Sequence, residues 1–322
     1  MTKTSLETAL LGKTGLDITR VGLGAWAIGG GDWEMGWGPQ ADDDSVATIH
    51  RALELGVNWI DTAAAYGFGH SEQVVGRALA GLRADQRPFV FTKASLIEGP
   101  GRTVVHVLKR DSILREAEAS LRRLGLDAID LYQIHWPIPD EDIEEGWAAC
   151  AELQEQGLVR HIGVSNFSVE QLRRAQRIAP VETVQPQYSL IDRDAEAELL
   201  PSAEREAIGV IVYSPMASGM LTGAMTRSRI GQLPDDDWRR HDPRFREPRL
   251  SHHLALVDRI RAVADRHSTA PGTVAIAWAL RDPAVDGAIV GFRHPDQVGP
   301  LVQAANLRLD DGDVATIEGG AR

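Results

Sequence analysis

Residues 20–30 read "RVGLGAWAIGG", in which Gly22, Gly24 and Ala27 spell G-x-G-x-x-A, the glycine pattern of a dinucleotide-binding turn. The pattern has physical meaning only between a strand and a helix, where the glycines let the backbone turn tightly and the helix N-terminus receives a pyrophosphate. The apolar run Val21–Trp26 supplies the strand. The next residues, "AIGGGDWEMGWGPQADDD", bring more glycines and a proline and no helical periodicity before Ser45. Asp42, Asp43 and Asp44 all fall where a single ribose-binding acid belongs, so none marks the position. The stretch reads as a strand with its outgoing loop, not as the first turn of a doubly wound sheet.

Outward from it, short apolar runs alternate with amphipathic stretches to the end of the chain. Further strands are expected at Asn58–Asp61, Phe89–Lys93, Ala128–His135, His161–Ser165, Thr183–Gln187, Val210–Ser214 and Ala288–Phe292. Helical spacing covers Ser45–Leu55, Glu72–Leu79, Ser112–Leu124, Ile143–Gln156, Val169–Ile178, Ala195–Ala207, Leu254–Arg266 and Gly272–Leu280. Ser112 reads as a helix start and Gly125 as a helix stop. This alternation implies parallel strands joined by right-handed crossovers. In a chain of this size it predicts one α/β domain over 1–322, a closed (β/α)8 TIM barrel. "LLGKTGLDITR" predicts an N-terminal β-hairpin plugging the barrel floor. Residues 29–41, 95–111 and 216–253 are long substrate loops, the last a flap rich in Asp, Arg and Pro.

Of the 322 residues 43% are hydrophobic and 25% charged, and the formal net charge is −12. That balance speaks against nucleic-acid and anionic-membrane partners, which require basic surfaces. No apolar run approaches the roughly 20 residues of a membrane span. A start without an apolar segment and a single cysteine, Cys150, fit a cytoplasmic protein. Cys150 lies in a helical pattern and reads as a small core residue.

In a barrel of this kind chemistry belongs at the C-terminal strand ends. Reading those ends gives Trp26, Asp61 with Tyr66, Lys93, His135, Ser165–Asn166, Gln185, Tyr213–Ser214 and Gly291–Arg293. Singly, each has a bland role in packing or capping. Together Asp61, Tyr66, Lys93 and His135 form a proton-transfer set. A phenol is too weak an acid at neutral pH, an ammonium beside it lowers its pKa, and a carboxylate keeps that ammonium buried. A histidine nearby orients the substrate oxygen. No metal-ligand spacing is present.

"WIDTAAAYG", "FTK", "LYQIHWP", "GVSNF" and "YSPMASGMLTG" resemble, in order and over nearly the whole chain, the signatures of the aldo-keto reductase superfamily. Within it the sequence is similar to the bacterial branch of general-stress and glyceraldehyde reductases. The resemblance implies a barrel that binds NADPH/NADP+, with NADH as the alternative, and reduces a small-molecule carbonyl substrate. It implies Tyr66 as proton donor, Lys93 and Asp61 as its tuning pair and His135 as carbonyl orienter. It implies Gly24, Ala25, Trp26 and Asp61 beside the nicotinamide, Ser165, Asn166 and Gln185 on its carboxamide, and Tyr213 beneath the ring. Ser214, Met216, Gly219 and Leu221 would line the pyrophosphate, and Gly291, Arg293 and Gln297 the adenosine end, with Arg293 facing a 2′-phosphate.

Two departures stand out. Ala224 occupies the place of a phosphate-contacting lysine, which Arg227 or Arg229 would replace, and Pro300–Leu301 stand where relatives hold adenine with Glu-Asn. Trp26, Trp33, Trp37, Trp136 and Trp238 are expected to wall the substrate pocket, while Trp59, Trp147 and Trp278 belong to the core. A sugar or polyol dehydrogenase, and a cofactor-sensing subunit, are the alternative functions. Oligomeric state is left open by the sequence.

Overall fold

The computed structural model describes residues 5–234 and 237–319; residues 1–4 and 320–322 of the expected domain, and Asp235 and Asp236 of the flap, lie outside them. The chain opens with an antiparallel pair, β1 (Thr8–Leu10) and β2 (Asp17–Thr19). After it come β3 (Val21–Gly24), α1 (Asp42–Glu54), β4 (Trp59–Asp61), α2 (His70–Leu79) and β5 (Phe89–Ala94). A second hairpin, β6 (Leu96–Glu98) with β7 (Val104–His106), precedes α3 (Arg110–Leu124) and β8 (Ile129–Ile134). The chain continues through α4 (Ile143–Glu155), β9 (Val159–Ser165), α5 (Val169–Gln176), β10 (Thr183–Gln185), α6 (Leu199–Glu206) and β11 (Gly209–Tyr213). The last part holds α7 (Arg227–Gly231), α8 (Arg249–Arg266), α9 (Pro271–Leu280), β12 (Gly287–Gly291), α10 (Pro295–Val302) and α11 (Asp311–Glu318).

β3, β4, β5, β8, β9, β10, β11 and β12 pair in that order, all parallel, and β12 closes onto β3. This is the expected (β/α)8 barrel. Its floor is stoppered by the N-terminal hairpin, whose Leu11 and Ile18 cluster with Trp59, Phe91, Leu131, Ile211 and Ile289 inside the barrel. Gly22 is required there, since a Cβ on it would lie 2.1 Å from the Trp59 ring. A Cβ on Gly24 would stand 2.7 Å from Ile289. The glycines of the opening motif therefore serve close packing inside a barrel. Trp59, Trp147, Trp278 and Cys150 are all fully buried, as expected.

Several local expectations need correction. β3 stops at Gly24: after Ala25, whose N–H still donates to Asp61 O of β4, residues 26–29 wind into a 3-10 turn. α3 starts at Arg110, and Ser112 Oγ donates to Glu116 instead of capping. α8 starts at Arg249, five residues before the expected Leu254. The hairpin β6–β7, α7, α10 and α11 were not expected. The 216–253 stretch is structured by α7 and 3-10 turns at 217–222, 238–240 and 243–245, the last two capped by Asp237 and Asp242.

Candidate active site at the barrel mouth

β4 and β5 bring Asp61 and Lys93 to the C-terminal mouth, where both are buried. Lys93 Nζ donates to Asp61 Oδ1 at 2.5 Å and to Thr62 O at 2.9 Å. Gln185 Nε2 donates to the other carboxylate oxygen at 2.9 Å, so β10 closes the pair from the far side of the barrel. Lys93 Nζ stands 5.3 Å from the centre of the Tyr66 ring. The Tyr66 and His135 rings meet edge-on with centres 5.7 Å apart. The four expected residues thus form one cluster.

Burial pushes the Lys93 ammonium below its ordinary value, against the pull of Asp61. The Tyr66 phenol is held well above its ordinary value by burial and then by the Asp61 carboxylate. This reverses the lowering expected from Lys93, because desolvation of a phenolate outweighs an ammonium already paired with Asp61. His135 is held well below its ordinary value by burial, with Lys93 adding to the effect. The cluster therefore presents a protonated phenol and a neutral imidazole at neutral pH.

Beside it, Ser165 Oγ donates to Gln185 O at 2.8 Å, Asn166 Nδ2 to Ser165 Oγ and His135 O at 3.0 Å each, and Tyr213 Oη to Asn166 Oδ1 at 2.8 Å. Asn166 adopts φ +63° and Ser214 φ +56°. After β11, Ala217, Ser218 and Gly219 continue in left-handed backbone with φ +46°, +55° and +91°. Such runs build amide concavities that take anions, and they persist where a ligand needs them. A Cβ on Gly219 would meet only Arg239 Nη1, at 3.8 Å. A left-handed turn with a guanidinium over it fits a pyrophosphate, and the polar strand ends beside Tyr66 fit a carboxamide. Met216 Sδ and Leu301 both approach Gly272, and Leu221 is buried.

Arg239 was missed by sequence reasoning; its only signal was membership of an arginine-rich loop. It donates to Asp237 from Nε at 2.9 Å and Nη2 at 2.6 Å, and lies 4.6 Å over Trp37. Arg227 instead binds Glu247 and Ser251. Arg293 is already engaged: Nε donates to Gln40 Oε1 at 2.9 Å, Nη1 to Trp37 O at 3.0 Å and Nη2 to Pro39 O at 2.5 Å. Gln297 Oε1 accepts from Arg293 N–H at 2.7 Å, and Gly291 ends β12. Pro300 O accepts from Thr273.

Trp26 stacks on Tyr66 at 6.4 Å and under Trp238 at 5.9 Å, and Trp37 meets both Trp26 and Trp238 edge-on. Trp33 lies 6.4 Å from Tyr66. Trp136 sits at the rim, tied by its backbone N–H to Ser95 Oγ. Ser95, at φ +84°, is anchored in turn by Glu116, which accepts its N–H at 3.0 Å from behind the barrel wall.

A parallel barrel with a buried lysine–carboxylate pair, a tyrosine and a histidine at its mouth belongs to the carbonyl–alcohol oxidoreductases. The chain is a member of the Aldo/keto reductase family, which it matches over residues 20–321. It is 38% identical over 316 residues to the aldo-keto reductase YhdN of Bacillus subtilis, spanning 97% of this chain and 93% of that one. It is 35% identical to an NADH-specific methylglyoxal reductase of Escherichia coli, spanning 94% of each. Its fold matches the glycerol dehydrogenase AKR11B4 of Gluconobacter oxydans with a TM-score of 0.88 at 36% identity, over 99% of this chain and 95% of that one. It is thus an NAD(P)H-dependent oxidoreductase of small carbonyl compounds. No helix among the described residues is long and apolar enough to cross a membrane.

Proposed function

We propose that this enzyme reduces small aldehydes and ketones to alcohols, with Tyr66 as the proton donor. When bound, the reduced nicotinamide supplies a hydride to the carbonyl carbon. Tyr66 Oη gives its proton to the carbonyl oxygen as negative charge develops there. A phenol held above its ordinary pKa keeps that proton until the oxygen becomes basic. Lys93 stabilises the phenolate as it forms, and Asp61 fixes Lys93 in place. His135, neutral, offers an N–H that orients the carbonyl.

For the cofactor, the reading assigns Ser165, Asn166 and Gln185 to the carboxamide and Tyr213 to the ring face opposite the substrate. Gly24, Ala25 and Trp26 flank the nicotinamide. Ser214, Met216, Gly219 and Leu221 line the pyrophosphate, where Arg239 takes the place expected of Arg227 or Arg229. Gly291, Arg293 and Gln297 hold the adenosine end. The hold of Arg293 on residues 37–40 leaves it two of five N–H groups for a 2′-phosphate, and one relative is NADH-specific. We therefore propose that NADPH and NADH both serve, with a modest preference for NADPH. Trp26, Trp33, Trp37, Trp136 and Trp238 wall the substrate.

The observation that carries the reading is the buried Asp61–Lys93 pair against Tyr66, since a buried ion pair stabilises a fold little compared with apolar residues of its size. The complete tetrad ranks a cofactor-sensing, non-catalytic role behind. The fold match to a glycerol dehydrogenase keeps alcohol oxidation as the second reading. Initial rates with NADPH plus aldehydes and with NADP+ plus polyols, at one pH, separate the directions. Higher kcat/KM for aldehydes supports reduction; the reverse would make the chain a polyol dehydrogenase.

A further inference from the structure

The β6–β7 hairpin rises from the end of β5 and is held beside the tetrad. His135 N–H donates to Ala94 O at 3.0 Å, and Val107 N–H donates to the next carbonyl, Ser95 O, at 2.9 Å. His106, the residue before Val107, therefore lies close to the strand end that also holds His135. Leu96 pairs with His106 and Ile97 with Val105. Residues opposite one another share a face, and successive residues alternate. Leu96 is 7% exposed and Val105 is 38% exposed, so His106 lies on the inner face.

His106 Nδ1 is buried and has no hydrogen-bond partner among the described residues. His135 Nδ1 shares that condition, and His106 is among the few groups whose charge His135 senses. The carboxylate whose charge acts on His106 is that of Glu34, whose Oε2 accepts from Val104 N–H at 2.8 Å. A buried polar nitrogen left unpaired at a ligand site marks where a ligand atom belongs.

We propose that His106 is a specificity-determining contact for an oxygen on the carbon next to the reacting carbonyl, so that 2-hydroxy and 2-oxo aldehydes and ketones are the preferred substrates. The inference rests on the reductase reading above. Tyr66 and His135 take the reacting oxygen, and the rest of the substrate leaves towards the loops, which present His106 with an unpaired Nδ1. An alkyl substituent there would leave Nδ1 buried and unpaired, which is how sites built to bind a hydroxyl reject analogues without one.

The test compares methylglyoxal and glyceraldehyde with propanal, at fixed NADPH, in the wild type, His106→Phe and His106→Asn. Phe keeps a ring without nitrogen; Asn returns a polar atom near Nδ1. Expected is an about 10- to 100-fold loss of kcat/KM for the oxygenated substrates in His106→Phe, with propanal changed less than about threefold. His106→Asn recovers most of the loss. Equal losses on all three substrates, no loss, or no recovery by Asn would overturn the proposal. A wild type inactive on all three aldehydes would instead overturn the reductase reading itself.

Discussion

The two ends of this barrel are built on opposite terms. At the floor, Leu11 and Ile18 of the hairpin close an apolar cluster on Trp59, and Asp286 satisfies the N–H groups of Gly12 and Val210. At the mouth, an ion pair is buried, serines and an asparagine sit in left-handed backbone, and side-chain nitrogens of Trp37, His106, Gln133, His135 and Trp238 are buried without partners among the described residues. Unpaired buried polar atoms and backbone strain cost stability, so a fold that concentrates them at one end, with Arg20 Nε and Thr183 Oγ1 the unpaired side-chain atoms elsewhere among the described residues, leaves them for a ligand. The floor holds the barrel together, and the mouth is shaped for what it binds.

Substitutions at the two ends should break differently. The largest effect is expected from Lys93→Met, which leaves Asp61 buried and unpaired. Unfolding free energy should fall by about 3–5 kcal/mol and turnover should all but vanish, read by urea melts and initial rates. Leu11→Ala should cost about 2–5 kcal/mol in the same melts, yet leave kcat at 25 °C within about twofold. A large loss of kcat in that variant would erase the distinction between floor and mouth.

Glu116 tests the support behind the mouth. Burial pushes its carboxyl up to about 7, while Ser95 N–H and Ser112 Oγ donate to it. A folded-state pKa above the unfolded value means stability present below the ordinary pKa and lost as pH rises through about 7. The stability of the wild type relative to Glu116→Gln should therefore fall by about 2–3 kcal/mol between pH 4.5 and pH 8. A difference independent of pH contradicts this. The smallest effect belongs to Arg293→Ala, which should weaken NADP+ binding by about tenfold at most, or about 1.4 kcal/mol, and NAD+ by less. Equal weakening of both would remove Arg293 from the 2′-phosphate.

The sequence showed the barrel strands within a few residues, because parallel strands buried on both faces read as short apolar runs between turn signals. The same logic put Asp61, Lys93 and His135 at strand ends, and the N-terminal hairpin at the floor. It missed the β6–β7 hairpin, although "TVVHV" carries β-branched residues, because three-residue strands give too few alternations to register. α10 was hidden by an internal proline, Pro300. Arg239 and Glu116 were illegible for another reason. Their importance comes from neighbours distant in sequence, Gly219 with Trp37 and Ser95, and no local pattern encodes such contacts.

The central claim is that Tyr66 supplies the proton at a mouth assembled around it. Tyr66→Phe removes one oxygen from a packed ring, so the most direct measurement pairs NADPH binding by fluorescence titration with single-turnover reduction of a test aldehyde. The account predicts cofactor affinity within about threefold of wild type and a reduction rate lower by about 10²- to 10⁴-fold. An unchanged rate, or a loss explained wholly by weaker cofactor binding, would contradict it.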